Sequence, residues 1–321
     1  MSDAPDPFDG EVLDLNVPAG LDGLRVDRVL SMLTGLSRAQ AHDVLVAGAL
    51  TLDDRVTRKP SHLVSEGQHL VAVLPAGADL EVTGEPDVPV AVVLEDADFL
   101  VVDKAPGMVV HPGAGQRHGT LVAGLLARYP ELAELAREGL SDPWRPGVVH
   151  RLDKGTSGLL VVARTPQGLA SLREQMTQRL VARTYVGGVE GHVTEDRGEV
   201  DAPIGRSPRT PTLMAVRADG RPARTHYEVL ARVAHPTSTL LRLRLETGRT
   251  HQIRVHLAAI GHPVINDARY GHRRDTRLES ERVFLHASAL GFTHPRTGAP
   301  VRVDSALPDD LASLVPAGVE L

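Results

Sequence analysis

The amino-acid sequence predicts an α+β protein in which a small N-terminal domain precedes a larger one. At 321 residues the chain is longer than one average domain and can bury a sizeable core. In its second part, short strand-like runs are separated by few helical stretches. This pattern favours a mixed α+β domain over a doubly wound parallel sheet, in which strands and helices alternate regularly.

Composition divides the chain into four stretches. We predict a flexible acidic segment, a small domain, a linker and a large domain, over residues 1–22, 23–75, 76–89 and 90–321 respectively. The small domain begins with two helical stretches, of which the second has Ser37 as its N-cap and ends at Gly48. Alternating apolar and polar residues around Asp53 and Asp54 then predict a hairpin, which is followed by another strand.

The large domain contains strand-like runs separated by helical stretches. The runs are FLVVD, GVVHRL, GLLVVART, TYVGGVEG, TLLRLRLE and FLHASALGF. The helical stretches lie near residues 120–139, 166–179 and 250–261. No internal repeat relates these runs, so a repeat architecture is not predicted.

The charge distribution is uneven. The net charge of -6 at pH 7 argues against a protein that coats nucleic acid over its whole surface. Cations are concentrated in two zones, from Arg25 to Lys59 and from Arg206 to Arg277, whereas Lys and Arg are absent from Pro60 to Asp103. Aromatic residues amount to 3%, too few for a broad base-stacking platform. The sequence thus indicates two local basic surfaces on a mildly acidic protein.

The sequence contains no cysteine, which excludes disulfides, thiolate metal sites and thiol nucleophiles. Its N-terminus is acidic and lacks the features of a secretory signal, and no apolar run is long enough to span a bilayer. We therefore predict a cytoplasmic protein that does not associate with a membrane.

Several common catalytic motifs are missing. The sequence has no phosphate-binding P-loop, PGAGQRHG departs by one residue from G-x-G-x-x-G, and GTSGL lacks the second glycine of a hydrolase elbow. His251 and His256 are five residues apart, whereas a helical zinc site needs a spacing of four. The sequence therefore predicts no metal site and no bound cofactor.

A short charged stretch lies between two apolar runs in GVVHRLDKGTSGLLVVA, residues 147–163. Asp153 follows one run and precedes a Gly-Thr-Ser-Gly turn, so we predict it at the end of a strand, facing a cleft. Arg151 lies two residues earlier, and strand alternation would direct it to the same side. An exposed ion pair is the alternative, and for an isolated Arg-x-Asp it is the commoner case.

Two stretches of the N-terminal domain, LRVDRVL and LSRAQAHDVLVAGALTLDDRVTRKPSHLVSEGQHL, resemble the S4 RNA-binding domain. Independently of that resemblance, several basic side chains can line one surface for phosphate contacts, namely Arg25, Arg28, Arg38, Arg55, Arg58 and Lys59. A solvated charged face is the alternative.

The stretch around Asp153 resembles the signature of the RluA-type RNA pseudouridine synthases. The resemblance extends, in the family's order, to LEDADFLVVDKAPGMVVHPGAG, RTYVGGVEG, LETGRTHQIRVHLAAIGHPVINDARYG and FLHASALGFTHPRTG, and covers most of residues 94–298. It implies a catalytic domain built on a mixed, mainly antiparallel β-sheet with flanking helices. With the S4-like module in front, RPGVVHRLDK is most similar to the subgroup that acts on large-subunit ribosomal RNA.

By this resemblance, Asp153 is the catalytic aspartate, Tyr185 the tyrosine against the target base and Arg254 the basic partner of the aspartate. Arg151 corresponds to the residue that takes part in flipping the uridine out of the RNA. The further predicted RNA contacts are His150, Arg25, Arg28, Arg38, Lys59, Lys104, Lys154 and Arg249. For His150, a buried imidazole bonded to the backbone is the commoner alternative.

The resemblance implies a monomeric enzyme that needs no cofactor and acts on large-subunit ribosomal RNA or a pre-ribosomal particle. Two alternatives remain open, a synthase that acts on transfer RNA and a catalytically silent RNA-binding factor for ribosome assembly. A glycoside hydrolase fits less well, because no second carboxylate accompanies Asp153 and its surroundings are cationic.

Overall fold

The structure is a computed structural model that describes residues 12–319, except 35, 37, 75–81, 113–115, 211, 212, 272–274, 276 and 280. The chain forms two compact units. One comprises the residues up to Pro89 together with His111–Pro146, and the other comprises Val90–Val110 and Gly147–Leu321. The division predicted from composition did not foresee that residues 111–146 group with the N-terminal part.

The first unit begins with a small sheet and two helices. Its elements there are β1 Val12–Asn16, a 3-10 helix Ala19–Leu21, α1 Val26–Thr34, α2 Arg38–Ala47, β2 Leu50–Leu52, β3 Arg55–Val56 and β4 His69–Val73. The strands pair antiparallel in the order β1-β4-β2-β3, and α1 buries the face that carries Val29, Leu30 and Leu33. Between β2 and β3, Asp53 and Asp54 have φ values of 48° and 63°, as a two-residue hairpin turn requires.

The predicted flexible segment 1–22 is corrected for residues 12–22. Its apolar residues alternate in β1, which pairs with β4 from Val12 opposite Val73 to Asn16 opposite His69. Residues 1–11 and the predicted N-cap Ser37 lie outside the described residues.

The rest of the first unit contains two helices, α3 Leu121–Arg128 and α4 Leu132–Arg137. The single helical stretch predicted over 120–139 is therefore divided, at Pro130, which has no N–H to donate. The Glu85 N–H donates to the Ala123 carbonyl at 2.9 Å, so the described end of the predicted linker packs against α3.

The described residues of the second unit form one large sheet, a two-stranded ribbon and three helices. Its strands are β5 Ala91–Glu95, β6 Phe99–Lys104, β7 Ser157–Ala163, β8 Ala182–Glu190, β9 Arg197–Asp201, β10 Ile204–Arg206, β11 Met214–Val216, β12 Arg224–Val233, β13 Ser238–Leu245, β14 Leu285–Thr293 and β15 Pro300–Asp304. Its helices are α5 Pro166–Thr177, α6 Gln252–Ala259 and α7 Asp309–Ala312.

The nine strands of the large sheet follow the order β5-β6-β7-β14-β8-β13-β12-β9, with β15 also paired to β14, and β10 pairs with β11 to form the ribbon. Among the described strands of the large sheet, all pairs are antiparallel except β7 with β14. This confirms the predicted mixed, mainly antiparallel sheet. The apolar runs of β6 and β7 are buried on both faces, so other parts of the protein cover both sides of the sheet at these strands.

The run GVVHRL does not form the predicted strand. It makes one isolated bridge, from Val148 to Val162 near the end of β7. Gly147 has a φ of 73°, and a Cβ at this position would lie 2.2 Å from the Ala163 carbonyl oxygen. The chain therefore passes close to β7 and then forms a loop that carries residues 149–156. None of the helices in the described part of the chain is long and apolar enough to cross a membrane.

Candidate active site

Asp153 lies in the loop directly before β7, and 17% of its side chain is exposed. The loop is held from inside the protein: the Thr156 N–H donates to the Asp153 carbonyl at 3.1 Å, and the Gly107 N–H donates to the Lys154 carbonyl at 2.8 Å. The carboxylate is therefore fixed on a rigid support while still open to solvent. The predicted strand end is replaced by a loop, so strand alternation does not relate Asp153 to Arg151.

Arg254 on α6 contacts Asp153 directly. Its Nη1 donates to Asp153 Oδ2 at 3.1 Å, although 101 residues separate the two in sequence. Its Nε and Nη2 donate to the two carboxylate oxygens of Asp267 at 2.6 and 2.8 Å, so the guanidinium bridges two carboxylates. Burial disfavours the charged form, but the ion pairs with Asp267 and Asp153 outweigh it and hold the pKa of Arg254 above its ordinary value.

Asp267 holds Arg254 in place, a role that was not predicted from the sequence. Its side chain is fully buried, and it also accepts the backbone N–H groups of Arg269 and Tyr270 at 3.0 and 3.2 Å. Burial acts to raise the pKa of this carboxyl, but the hydrogen bonds from Arg254 and the backbone outweigh that effect and hold the pKa below its ordinary value. Asp267 is therefore ionised. A buried carboxylate is the partner that makes a buried arginine tolerable.

Tyr270 and His251 complete this wall of the site. The Tyr270 ring lies 5.1 Å from the Arg254 guanidinium carbon, and its hydroxyl oxygen accepts the Met214 N–H at 3.0 Å. The same hydroxyl lies 2.8 Å from His251 Nδ1. Burial lowers the pKa of His251 despite the nearby charge of Asp153, which favours a neutral imidazole.

Tyr185 lies on β8 and is 5% exposed. Burial raises the pKa of its phenol, and the charge of Asp153 raises it further, whereas the charge of Arg183 lowers it. The phenol is therefore neutral near pH 7. Asp153 and Arg254 are thus in direct contact, and Tyr185 lies near enough for the charge of Asp153 to affect its pKa.

His150 and Lys104 were predicted as RNA contacts, and their placement does not support that role. His150 Nε2 accepts the Val161 N–H at 3.1 Å, and burial lowers the pKa of the imidazole to about 3. Lys104 is 1% exposed, and its ammonium donates to the carbonyls of Ala105, Met108 and Lys154 at 2.7, 2.9 and 3.3 Å. Both side chains support the loop that carries Asp153.

The other predicted contacts in this unit lie at the surface. Arg151 is exposed, and Lys154 forms an ion pair with Glu281 at 2.7 Å. Arg249 is half-buried, and its Nε donates to the Pro222 carbonyl at 3.1 Å. Burial lowers the pKa of Arg249, and the charges of Arg221 and Arg179 lower it as well. Mutual repulsion of this kind indicates a cationic surface at which an anion would be stabilised.

Arg282 also supports the loop that carries Asp153, and the sequence did not single it out. Its guanidinium is 2% exposed and donates to the Gly155 carbonyl and to Ser157 Oγ, both at 2.9 Å. It also donates to Asp310 on α7 at 2.7 Å. Arg282 therefore holds the C-terminal end of the loop, where the chain enters β7.

The predicted contacts of the N-terminal unit lie on and beside its helices. Arg25 is exposed and paired with Asp27 at 2.6 Å, and Arg28 lies in the first turn of α1. Arg38 starts α2 and Lys59 is exposed in the loop after β3. The hydrogen bond from Arg25, just before α1, lowers the pKa of Asp27, and the charge of Arg38 at the start of α2 also lowers it.

Within the described residues, no three His, Asp or Glu side chains gather as metal ligands would. The reactive groups of the site are a carboxylate, a guanidinium and a neutral phenol. This set can carry out acid-base and nucleophilic chemistry on a substrate that enters from the exposed side of Asp153.

The chain belongs to the RNA pseudouridylate synthase family, whose model matches residues 98–259, a range that contains Asp153, Tyr185 and Arg254. Ribosomal large subunit pseudouridine synthase D of Xanthomonas campestris pv. campestris is 42% identical to it, over 99% of this chain and 96% of the relative. The protein of the same name from Nitrosomonas europaea is 40% identical, over 95% of this chain and 87% of the relative. Among solved structures, human RNA pseudouridylate synthase domain containing 1 has a TM-score of 0.54 and 28% identity, over 69% of this chain and 84% of that chain.

Proposed function

We propose that the protein converts specific uridines of large-subunit ribosomal RNA to pseudouridine, with Asp153 as the catalytic carboxylate. The observation that carries this proposal is the contact of Asp153 with Arg254, beside Tyr185, in a chain of the RNA pseudouridylate synthase family. The ribosomal substrate is supported by the relatives named for the large subunit, and it agrees with a cytoplasmic location.

The reaction moves the uracil from one atom to another and is neutral in redox terms. The C1′–N1 bond breaks with its electron pair on the uracil, the ring turns, C5 bonds to C1′, and the C5 hydrogen leaves as N1 takes up a proton. Asp153 acts as a carboxylate when it attacks C1′ or removes the C2′ proton, and the hydrogen bond that Arg254 Nη1 donates to Oδ2 holds it in position. No step needs a metal or a cofactor.

Tyr185 and Arg151 have separate roles in this proposal. The buried Tyr185 ring holds the detached uracil by stacking, and its neutral hydroxyl can exchange a proton at C5. A stacked uridine cannot reach Asp153, so the target must leave its helix, and the exposed Arg151 is placed to brace the gap. Arg151→Ala should therefore reduce activity on structured RNA more than on an unstructured fragment.

We further propose that residues 23–75 act as an S4-like module that captures RNA through its backbone. The exposed Arg38 and Lys59 support this proposal, because phosphate contacts supply affinity without sequence selectivity. Replacing both with Gln should lower RNA affinity and reduce the slope of log affinity against log salt by about 1.4 to 1.8. An unchanged slope would contradict the module's role and would leave the catalytic proposal intact.

The direct test is tritium release from ribosomal RNA transcribed with uridine labelled at C5, because formation of the new glycosidic bond expels that hydrogen. The protein should release tritium, Asp153→Ala should release none while it still binds RNA, and Asp304→Asn, which changes an exposed carboxylate on β15, should match the unmodified protein. Release by Asp153→Ala would overturn the assignment.

Transfer RNA is the second candidate substrate, and the same assay on labelled transfer RNA addresses it. Release from transfer RNA alone would replace the ribosomal substrate and keep the enzyme. Release from neither RNA would favour a silent RNA-binding factor.

A further inference from the structure

Arg183 is a second buried arginine at this site, in the RTY stretch of β8. It lies two residues before Tyr185, so the two side chains project from the same face of the strand, and they are 7% and 5% exposed. The pairing of β8 with β13 is regular through Tyr185 and Thr184, so no bulge interrupts this alternation on that side. The guanidinium of Arg183 is therefore part of the wall that holds Tyr185.

Arg183 differs from the buried arginines Arg254 and Arg282, which pair with Asp267 and Asp310 respectively. Among the residues that the structure describes, no carboxylate pairs with it, and its Nε is shut off from solvent without a hydrogen-bond partner. Burial lowers the pKa of Arg183, although an arginine remains protonated at any pH at which the protein is folded. A buried cation left in this way destabilises the folded protein unless a ligand supplies the missing acceptor.

The position of the guanidinium is defined by Gly248, in the loop between β13 and α6. A Cβ at this position would lie 2.6 Å from Arg183 Nη1, so the absence of a side chain makes room for the guanidinium. Asp153 lies elsewhere, against Arg254. Arg183 and Tyr185 are buried on the same face of β8, so the guanidinium lies beside the Tyr185 ring. The charges of Arg183 and Asp153 both affect the pKa of Tyr185, in agreement with this arrangement.

This arrangement fits the shape of a uridine. With C1′ at Asp153 and the base against Tyr185, the guanidinium beside Tyr185 can reach the edge of the base that is most distant from C1′. In uracil this edge carries the O4 carbonyl, an acceptor, whereas cytosine carries an amino group, a donor, at the same position. A guanidinium offers donors only and discriminates between the two bases.

We propose that Arg183 donates a hydrogen bond to O4 of the target uracil, by which it selects uridine over cytidine and stabilises the detached ring. The inference rests on the function proposed above. When the C1′–N1 bond breaks, the electron pair left on N1 spreads onto the ring oxygens, and a positive group fixed at O4 stabilises that charge. The charge returns to neutral when N1 is protonated and C5 has bonded to C1′.

The test uses short RNAs that carry uridine, 4-thiouridine or 2-thiouridine at one mapped target position, with enzyme in excess and the nucleosides separated by chromatography. Sulfur is the weaker acceptor. Arg183→Gln should lower the single-turnover rate on uridine about 100-fold, with RNA affinity and its salt dependence unchanged. The ratio of the uridine rate to the 4-thiouridine rate should fall in Arg183→Gln, whereas the ratio for 2-thiouridine should stay the same.

Two further variants keep the test decisive. Arg244→Gln changes an exposed arginine on the neighbouring strand β13 and should retain the full rate. Gly248→Ala retains the Arg183 charge but displaces Nη1, and it should give an intermediate rate even if Arg183→Gln fails to fold.

The inference is overturned if Arg183→Gln keeps the rate of the unmodified protein, or if the 4-thiouridine ratio is equal in the two proteins. It is also overturned if the loss is in affinity and the salt slope falls by about 0.7 to 0.9, since that result identifies a phosphate contact. Failure of the unmodified protein to isomerise any RNA would instead refute the proposed function.

Discussion

Arg254 and Arg183 are equally buried, each 7% exposed, and their surroundings differ completely. Arg254 bridges the carboxylates of Asp267 and Asp153, so its charge is compensated before any substrate binds. Arg183 has no carboxylate partner among the described residues. The contrast indicates that Arg254 stabilises the folded framework through its ion pairs, whereas the charge of Arg183 is compensated only when a ligand binds.

Among the variants that test this comparison, Arg254→Met should have the largest effect on the free energy of unfolding. Removing the guanidinium leaves the Asp267 carboxylate fully buried without its counter-ion. The free energy of unfolding in urea should fall by about 3–5 kcal/mol. The double variant Arg254→Met with Asp267→Leu should recover most of that loss, because both charges are then absent.

Arg302→Met provides the control for this experiment, because Arg302 pairs with Asp304 at 2.8 Å on the exposed strand β15. Its free energy of unfolding should stay near that of the unmodified protein. Equal stability of Arg254→Met and the unmodified protein would mean that Arg254 is no more part of the framework than Arg183.

Lys104 extends the comparison to a buried cation whose partners are three carbonyl oxygens. Burial lowers the pKa of Lys104 to about 7, whereas an unfolded lysine titrates near pH 10.4. Between these two values the unfolded chain binds one more proton than the folded protein, so this group makes stability rise with pH.

The free energy of unfolding should increase with pH more steeply in the unmodified protein than in Lys104→Met, by about 1 kcal/mol per pH unit. Urea unfolding between about pH 8 and pH 10 measures this difference. The matched control is Lys154→Met, which removes a lysine with 43% of its side chain exposed and should keep the original slope. Equal slopes in all three proteins would show that carbonyl partners hold Lys104 fully protonated.

The sequence predicted the buried strands and missed the half-exposed ones. The runs that form β6, β7, β8, β13 and β14 are rich in apolar residues, and these strands are paired on both sides within the sheet. β12 carries charged residues and is only partly buried, and it is held by ion pairs such as Glu228 with Arg197 at 2.6 Å and with Arg242 at 3.0 Å. Partners from other strands are invisible to a local pattern.

The same limit explains which site residues could be found. Asp153 and Arg254 were paired across 101 residues by the family resemblance alone, and not by any local pattern. Asp267 and Arg282 were missed because their role consists of tertiary contacts. Lys104 was assigned to the surface because a lysine usually lies there, and only the structure reveals its carbonyl partners.

The smallest effect, and the one that separates the two arginines most sharply, is the stability of Arg183→Met. Removing a buried cation that has no carboxylate partner also removes the free-energy cost of its desolvation. The variant should therefore be as stable in urea unfolding as the unmodified protein, or more stable by about 1 kcal/mol. The same variant should lose activity in the tritium assay. Higher stability with lower activity is typical of a group kept for its ligand. A loss of stability as large as that of Arg254→Met would instead show that the folded protein compensates the charge of Arg183, and the two arginines would then belong to one framework.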